Sequence, residues 1–527
     1  MPKTIVFVNR WQAGANKNYD KRRIDMKKQF VKLIAVFGLA LVMALSAISA
    51  AFAEDPKPIV PLTDPMAPFL ESRAFAKSKG ATAEFNKMEW VAIDPVNNKL
   101  YMAMTDITKA MSDKEGAIKL TENRCGIVYV ADLDKDYNTS ALRPLVVGGA
   151  YNSSWAPDKC TVSKISNPDS VFVDSAGNLW IGEDTSNHQN NFLWRYDTKA
   201  NKLERFATLP LGAEVTGVFI SPAGDVFINA QHPSAMNPYP YNRGFIGVVT
   251  GFKATDSFTP LPDPTSAVKE MTVAKGTYQV LARVGELIPN DFHGQRFGQI
   301  NSVSGKMMEM CNQPDGNMFL PTNGDSTEGY LYTNYECQPG GVSKIYIKKN
   351  GDKWDVLEGE NVDFASVGGT WNNCGASVTP WNTAMTAEEY EPPALLDSWK
   401  ANVAPMTEYL GEQANPYNYG WLVEMKPDTS GNILGTVAQK RYAMGRFAHE
   451  MAAIAPDKKT VYHGDDGANV VFFKFVADEA GKLNAGTLYA AAITQTGETL
   501  QIKWIELGKG NDEEIAEAIS TMKLPAK

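Results

Sequence analysis

The chain has 527 residues, 44% hydrophobic and 21% charged, the balance of a globular protein with a buried core. Its net charge is -9, its pI is near 5.3, and no stretch forms a basic stripe, so nucleic acid is not expected as a partner. The length allows several domains, although large all-β folds also reach this size as one.

Residues 1–53 read as an export signal. Met26-Lys27-Lys28 begins a basic region, Leu33 to Leu45 is apolar but short for a membrane span, and Ala51-Phe52-Ala53 makes a cleavage site. Residues 1–25 then form an upstream extension. Arg22-Arg23 offers a rival twin-arginine signal, but Asp25 sits where such a signal wants an apolar residue, which favours the general secretory route. Either route predicts a periplasmic or secreted protein with no membrane anchor after cleavage. The Pro-rich and then Ala/Lys-rich segment 54–80 is expected to pack on the surface as a leader.

From residue 81 onward one pattern recurs. A polar residue, usually an acid, precedes a short apolar strand, a turn follows, and a second strand ends in polar residues. Its copies begin at Glu89, Asp169, Thr216 and Glu450, and close at Asp106, Glu183-Asp184, Gln231-His232 and Asp465-Asp466. The spacing from start to close is 15 to 17 residues each time. Each copy reads as a β-hairpin with Pro, Gly, Asn or Asp at its turn. The best helix candidate lies near Asn511 to Met522. Many short strands, a repeated hairpin and little helix predict an all-β chain, a β-propeller spanning 81–527 with loop insertions. Ring closure would set the region near Phe85–Val91 beside the strand-like 500–507. Equivalent positions of different blades converge on the central channel, so Glu89, Asp169 and Glu450 would meet there with Asp465 and Asp466. Buried carboxylates in such a ring coordinate metals or pair with bases.

Five cysteines lie beyond the signal. In an oxidising compartment an odd count leaves one thiol over. Cys125 with Cys160 and Cys311 with Cys337 are the expected bridges, and five reduced, buried cysteines are the alternative. Cys374 remains, within Asn373-Cys374-Gly375 and ahead of Glu388-Glu389. A thiolate among carboxylates suits a transition metal, and carboxylates alone suit calcium. Against this stands a buried cysteine beside a solvated acidic turn.

Several motifs together resemble the PhoX alkaline phosphatases, a family of exported six-bladed propellers. They are Asn373-Cys374-Gly375 through Thr379-Pro380-Trp381 with Glu388-Glu389, Tyr419-Gly420-Trp421, Gly445-Arg446-Phe447-Ala448-His449-Glu450, Gly464-Asp465-Asp466, Asn167-Pro168-Asp169, and Ser221-Pro222-Ala223-Gly224. The resemblance implies iron and calcium ions around an oxo bridge and hydrolysis of small-molecule phosphate monoesters by a monomer. It also implies that Cys374 bridges iron, that Glu450 and Glu89 are carboxylate ligands, and that Asp169 and Asp465 or Asp466 serve calcium. Lys87 and Arg446 would hold the phosphate, with a salt bridge to the acidic ring as the other role open to Arg446. Three features depart from the family pattern. The segments 86–232 precede 276–480, as in a circular permutation, which a closed ring tolerates. Lys87-Met88-Glu89 replaces an Arg-Pro-Glu stretch, keeping the charge but losing the bidentate fork. Asn334-Tyr335-Glu336 replaces Asn-His-Glu. A calcium-dependent lactonase and a non-catalytic, metal-stabilised binding propeller are the rival readings. Ser/His/Asp catalysis is unsupported, since the chain has five histidines and no nucleophile elbow.

Overall fold

The computed structural model describes residues 57–526, apart from 323 and 429–434. The export signal expected over 1–53 lies outside the described residues. Within Pro58–Lys527 the strands build six antiparallel blades. Blade 1 comprises Met88–Asp94, Lys99–Met104, Ile127–Asp132 and Ala141–Val147. Blade 2 comprises Pro168–Val173, Leu179–Glu183, Phe192–Asp197 and Lys202–Thr208, with Thr272–Val273 added at its outer edge. Blade 3 comprises Glu214–Ile220, Val226–Gln231, Phe245–Thr250 and Thr277–Arg283. Blade 4 comprises Pro314–Thr322, Asp325–Tyr335, Gly341–Asn350 and Lys353–Asn361. Blade 5 comprises Asn373–Val378, Ala384–Glu388, Leu422–Pro427 and Thr436–Lys440. Blade 6 comprises His449–Ile454, Thr460–Asp465, Phe473–Glu479, Lys482–Thr496 and Thr499–Asn511.

The first strand of each blade packs on the first strand of the next, and that of blade 6 packs on that of blade 1. The chain is therefore an all-β, six-bladed propeller with six inner strands around a central channel. The hairpin turns follow from local chemistry. Asp94 accepts from the amides of Val96 and Asn97, and Asp174 accepts from those of Ala176 and Asn178, each an Asx-type turn that reverses the strand. Apolar residues of neighbouring blades interleave, as where Trp90, Val128, Leu179 and Trp194 pack between blades 1 and 2.

Ring closure brings Phe85, Met88 and Val91 into one buried cluster with Leu500 and Ile502, as expected. Leu500 and Gln501 pair with Leu142 and Ala141, on the outermost strand of blade 1. Phe85 instead pairs with Val470, beside the inner part of blade 6. Each terminal blade is built wholly from its own end of the chain, so the ring closes by blades lying side by side.

Residues 58–80 do more than cover a surface. The short helices Ala67–Leu70 and Ser72–Ser78 bury Phe69, Leu70 and Phe75 in the core that contains Trp421, Phe447 and Phe473. The C-terminal helix, Asp512–Thr521, starts where Asn511 accepts from the Glu514 amide, and three acids fill its first turn. Disulfides join Cys125 to Cys160 and Cys311 to Cys337, and Cys374 is free and buried. Among the described residues no helix is long and apolar enough to cross a membrane.

Candidate metal centre

In all six blades the pairing of the inner strand with its neighbour slips by one residue, always at the same place. The slips lie between Met88 and Val91, Pro168 and Val171, Thr216 and Phe219, Pro314 and Asn317, Asn373 and Ala376, and His449 and Ala452. A bulge of this kind bends a strand and re-aims a side chain. The first residue inside each slip is, in blade order, Glu89, Asp169, Gly217, Asp315, Cys374 and Glu450. Five of the six blades thus bring a carboxylate or thiol, side chains of the kind that can ligate a metal, to one ring. The register places Gly217, not Thr216, at this position of blade 3. Thr216 is one residue earlier and its hydroxyl donates to the Pro314 carbonyl.

Glycine lets the strands meet closely. A Cβ on Gly375 would collide with the Glu450 carbonyl, so only glycine fits after Cys374. Cys374 Sγ consequently lies 3.2 and 3.3 Å from the Glu450 carboxylate oxygens and 3.5 Å from Asp315 Oδ2. Three sets of ligand atoms lie within 4.8 Å of one another: Asp315–Glu336–Cys374, Cys374–Glu389–Glu450 and Glu89–Asp169–Glu450. Sharing Cys374 and then Glu450 links them into one continuous centre.

Neutral donors orient these acids. Gln231 Nε2 bridges Asp315 and Glu336 at 2.9 Å each, and Asn372 Nδ2 reaches Glu336 at 3.2 Å and Glu389 at 3.1 Å. Thr105 donates to Glu89. Asp315 Oδ1 is buried with no hydrogen-bond partner among the described residues. Burial, reinforced by neighbouring carboxylates, pushes Asp169, Glu214, Asp315, Glu389 and Glu450 well above the ordinary carboxylate range. Burial and Asp466 raise Glu89 to about 7, although Lys87 opposes them. The Cys374 thiol is pushed well up by burial and by Asp315 and Glu450. Such a cluster is costly without cations, and the orphaned Asp315 oxygen has a lone pair free to coordinate one. Thiolate plus carboxylates fits a transition metal beside harder cations.

The structure brings together Cys374, Glu89, Asp169, Glu389 and Glu450, with Asp466 and Lys87 at their edge. Lys87 Nζ is 3.0 Å from Glu89 and 3.9 Å from Asp466. Lys87 lies just before the first strand of blade 1. A left-handed backbone, φ 50°, turns it inward, and Asn167 and Asn372 share that conformation before blades 2 and 5.

Three expected residues lie elsewhere. Glu388 pairs with Lys440 at 3.2 Å and accepts from the amides of Trp371, Gly420 and Trp421, so its oxygens are committed. Asp465 is gripped by the Arg73 guanidinium at 2.6–2.9 Å and by the Val471 amide. Arg446 donates to the carbonyls of Tyr419, Pro416 and Pro392, where it joins loops rather than facing the ring. Asp106 likewise turns away, to Asn86 and Thr108. Conversely, Asp315 and Glu214 went unread. Asp315-Gly316 mirrors Cys374-Gly375 at the start of a hairpin, a signal hidden by the longer strands of blade 4. Glu214 enters from blade 3, where Gly217 supplies nothing, and lies 3.2 Å from His232.

A family model described as "Alkaline phosphatase PhoX" matches residues 60–234 and 343–525. The chain belongs to the PhoX alkaline phosphatase family. A match in two segments fits an altered segment order. No curated protein matches the sequence. Among solved structures, Pseudomonas fluorescens PhoX bound to vanadate, a transition state analogue, is similar at 20% identity and a TM-score of 0.33, over 43% of this chain and 54% of that one. The chain thus spans about half the length of that structure. A putative 6-phosphogluconolactonase of Bacteroides uniformis is similar at 9% identity and TM-score 0.34, over 79% and 87%. Regucalcin of Agrobacterium tumefaciens, a calcium-binding protein, is similar at 13% and 0.33, over 73% and 84%. TM-scores at this level carry no functional weight.

Proposed function

We propose that the protein is an exported, metal-dependent phosphomonoesterase that hydrolyses small-molecule phosphate esters at the mouth of the propeller channel. The observation that carries this reading is the continuous Asp315–Glu336–Cys374–Glu389–Glu450–Glu89–Asp169 cluster in a chain of this family. Cys374 and its carboxylate neighbours would hold iron, and the outer carboxylates, Asp169 and Asp466 among them, would hold calcium. Bound cations supply charge neutralisation for the phosphoryl oxygens and a site for activating water. The chain's own residues do the rest. Gln231, Asn372 and Thr105 fix the carboxylates in place before substrate arrives, so little reorganisation is needed. Lys87 brings an ammonium group from the solvent side, where it meets an incoming dianion. The two disulfides support an oxidising compartment, and hence export.

Purified protein should contain iron and calcium and release phosphate from p-nitrophenyl phosphate. Cys374→Ala should lose iron and turnover together while keeping its circular dichroism spectrum. Full iron content and unchanged turnover in that variant would remove the central claim. Hydrolysis of a lactone but of no phosphate ester would favour the lactonase reading instead.

A further inference from the structure

Tyr390 has no part in the centre as derived so far, yet it stands at its entrance. It directly follows Glu388-Glu389 at the end of the blade 5 hairpin. Its hydroxyl donates to Asp466 Oδ2, on blade 6, while the residue as a whole is 45% exposed. Asp466 is buried, as are Glu89 and Glu389. The phenol therefore runs from solvent down to the carboxylate ring. Its backbone is left-handed, φ 48°, a conformation that a bulky side chain rarely adopts. The Trp371 indole holds it there by donating to the Tyr390 carbonyl at 2.8 Å. Strain of this kind, held by its surroundings, gathers at ligand-contacting positions. Lys87 approaches the same Asp466 carboxylate and is also part-exposed, at 33% of its side chain. Two solvent-facing donors thus converge on one carboxylate at the entrance.

We infer that Tyr390 is a specificity residue that touches substrate: its ring walls the entrance for a planar leaving group, and its hydroxyl turns from Asp466 to a phosphate oxygen. This rests on the phosphomonoesterase reading. A phosphate dianion entering the ring must find hydrogen-bond donors, and the hydroxyl of Tyr390 and the ammonium of Lys87 are donors whose present acceptor is a side chain a bound cation would attract. An ester's organic part points back toward solvent, where the exposed ring offers a face for offset stacking. Aryl and nucleoside-like alcohols fit that face; a glycerol group leaves it unused.

Metal-loaded wild type, Tyr390→Phe and Tyr390→Leu would be compared on p-nitrophenyl phosphate and glycerol 3-phosphate, with inorganic phosphate as inhibitor. Tyr390→Leu should lose roughly three- to tenfold more kcat/KM on the aryl ester than on the glycerol ester, as a stacking contact of this size predicts. Tyr390→Phe should keep the aryl preference but weaken phosphate inhibition about tenfold, since it lacks a hydrogen bond to a charged group. Equal losses on both esters in Tyr390→Leu, or unchanged phosphate inhibition in Tyr390→Phe, would overturn the inference. If Tyr390→Leu does not fold, the Tyr390→Phe arm decides alone. A wild type that hydrolyses no phosphate monoester sinks the phosphatase reading and this one with it. An active wild type with unaltered variants sinks this one only.

Discussion

In three blades the second strand ends in an acid and another acid follows directly, and the two members of each pair have opposite fates. Glu183, Glu388 and Asp465 come first and turn away from the channel into dense nests of donors. Glu183 takes the Ser166 and Phe192 amides, the Trp194 indole and His188; Glu388 takes three amides and Lys440; Asp465 takes Arg73 and the Val471 amide. Asp184, Glu389 and Asp466 come second and lie among other carboxylates, where their charges raise one another's neighbours. An acid's identity therefore says little about its job; what counts is whether the fold has already spent its lone pairs. The first members buttress the ring, and the second members, which face other carboxylates with Lys87 near Asp466, are the ones proposed to take metal.

The comparison breaks most readily through the buttress. Lys440→Met strands the Glu388 carboxylate in a fully buried site and should cost about 3–5 kcal/mol in denaturant unfolding. Arg73→Met should cost less, because Arg73 remains about one-third exposed and water screens the loss. Glu389→Gln is the opposite case. It removes a buried carboxylate that has no cationic partner among the described residues, so the metal-stripped variant should be as stable as the stripped wild type or more so, while metal content and turnover fall. Equal destabilisation by Lys440→Met and Glu389→Gln would erase the distinction between the two kinds of acid.

A second test uses pH on the metal-stripped protein. Glu89 has an ordinary value of 4.5 and is raised to about 7 when folded, chiefly by burial. Between those values the folded chain binds more protons than the unfolded one, so stability falls as pH rises through that window. The more strongly raised ring acids, Glu389 and Glu450 among them, extend the fall to higher pH. Bound cations replace those protons, so the stabilisation gained on adding metal should grow from pH 5 to pH 8. Thermal melts of stripped and loaded protein check this; a stripped protein that becomes more stable across that range would contradict it.

Much of this architecture was legible beforehand. The hairpin period identified the propeller, and four of six inner hairpins stood out because a polar residue, a turn and a closing polar pair recurred at near-constant spacing. Blade 4 was hidden by strands that run on to Thr322 and Tyr335, which stretch the interval between Asp315 and Glu336. Blade 5 was seen only as a cysteine motif, although Cys374 to Glu389 keeps the hairpin spacing. What could not be read was which acid of each pair faces the channel. That depends on Lys440 and Arg73, which come from a distant strand and from the helix Ser72–Ser78. Likewise, no local pattern announces that Lys87 takes a left-handed backbone; Gly467 fixes it by accepting from the Lys87 amide.

The smallest expected effect belongs to Lys87, the cation on the ring's solvent edge. Its ammonium sits 3.0 Å from Glu89, and the carboxylates there hold its pKa above the usual lysine range, so it is charged throughout the working range of the protein. A third of its side chain is exposed, so Lys87→Ala should change stability by about 1 kcal/mol or less. Loss of a charged donor to a phosphate oxygen should nevertheless lower kcat/KM on an aryl phosphate by about tenfold or more. Metal content should hold, because the proposed ligand atoms of Cys374, Glu450 and Asp169 remain. Lys87→Arg should retain activity or raise it, since a planar fork can meet two phosphate oxygens where the ammonium meets one. The two substitutions separate roles that the geometry leaves together. If Lys87 serves only to neutralise Glu89, Lys87→Ala will shift metal affinity and leave kcat/KM of the loaded enzyme unchanged. If it touches substrate, kcat/KM falls at constant metal content, and Lys87→Arg restores it. The first result would move Lys87 from the ring's working edge to its buttress, alongside Lys440 and Arg73.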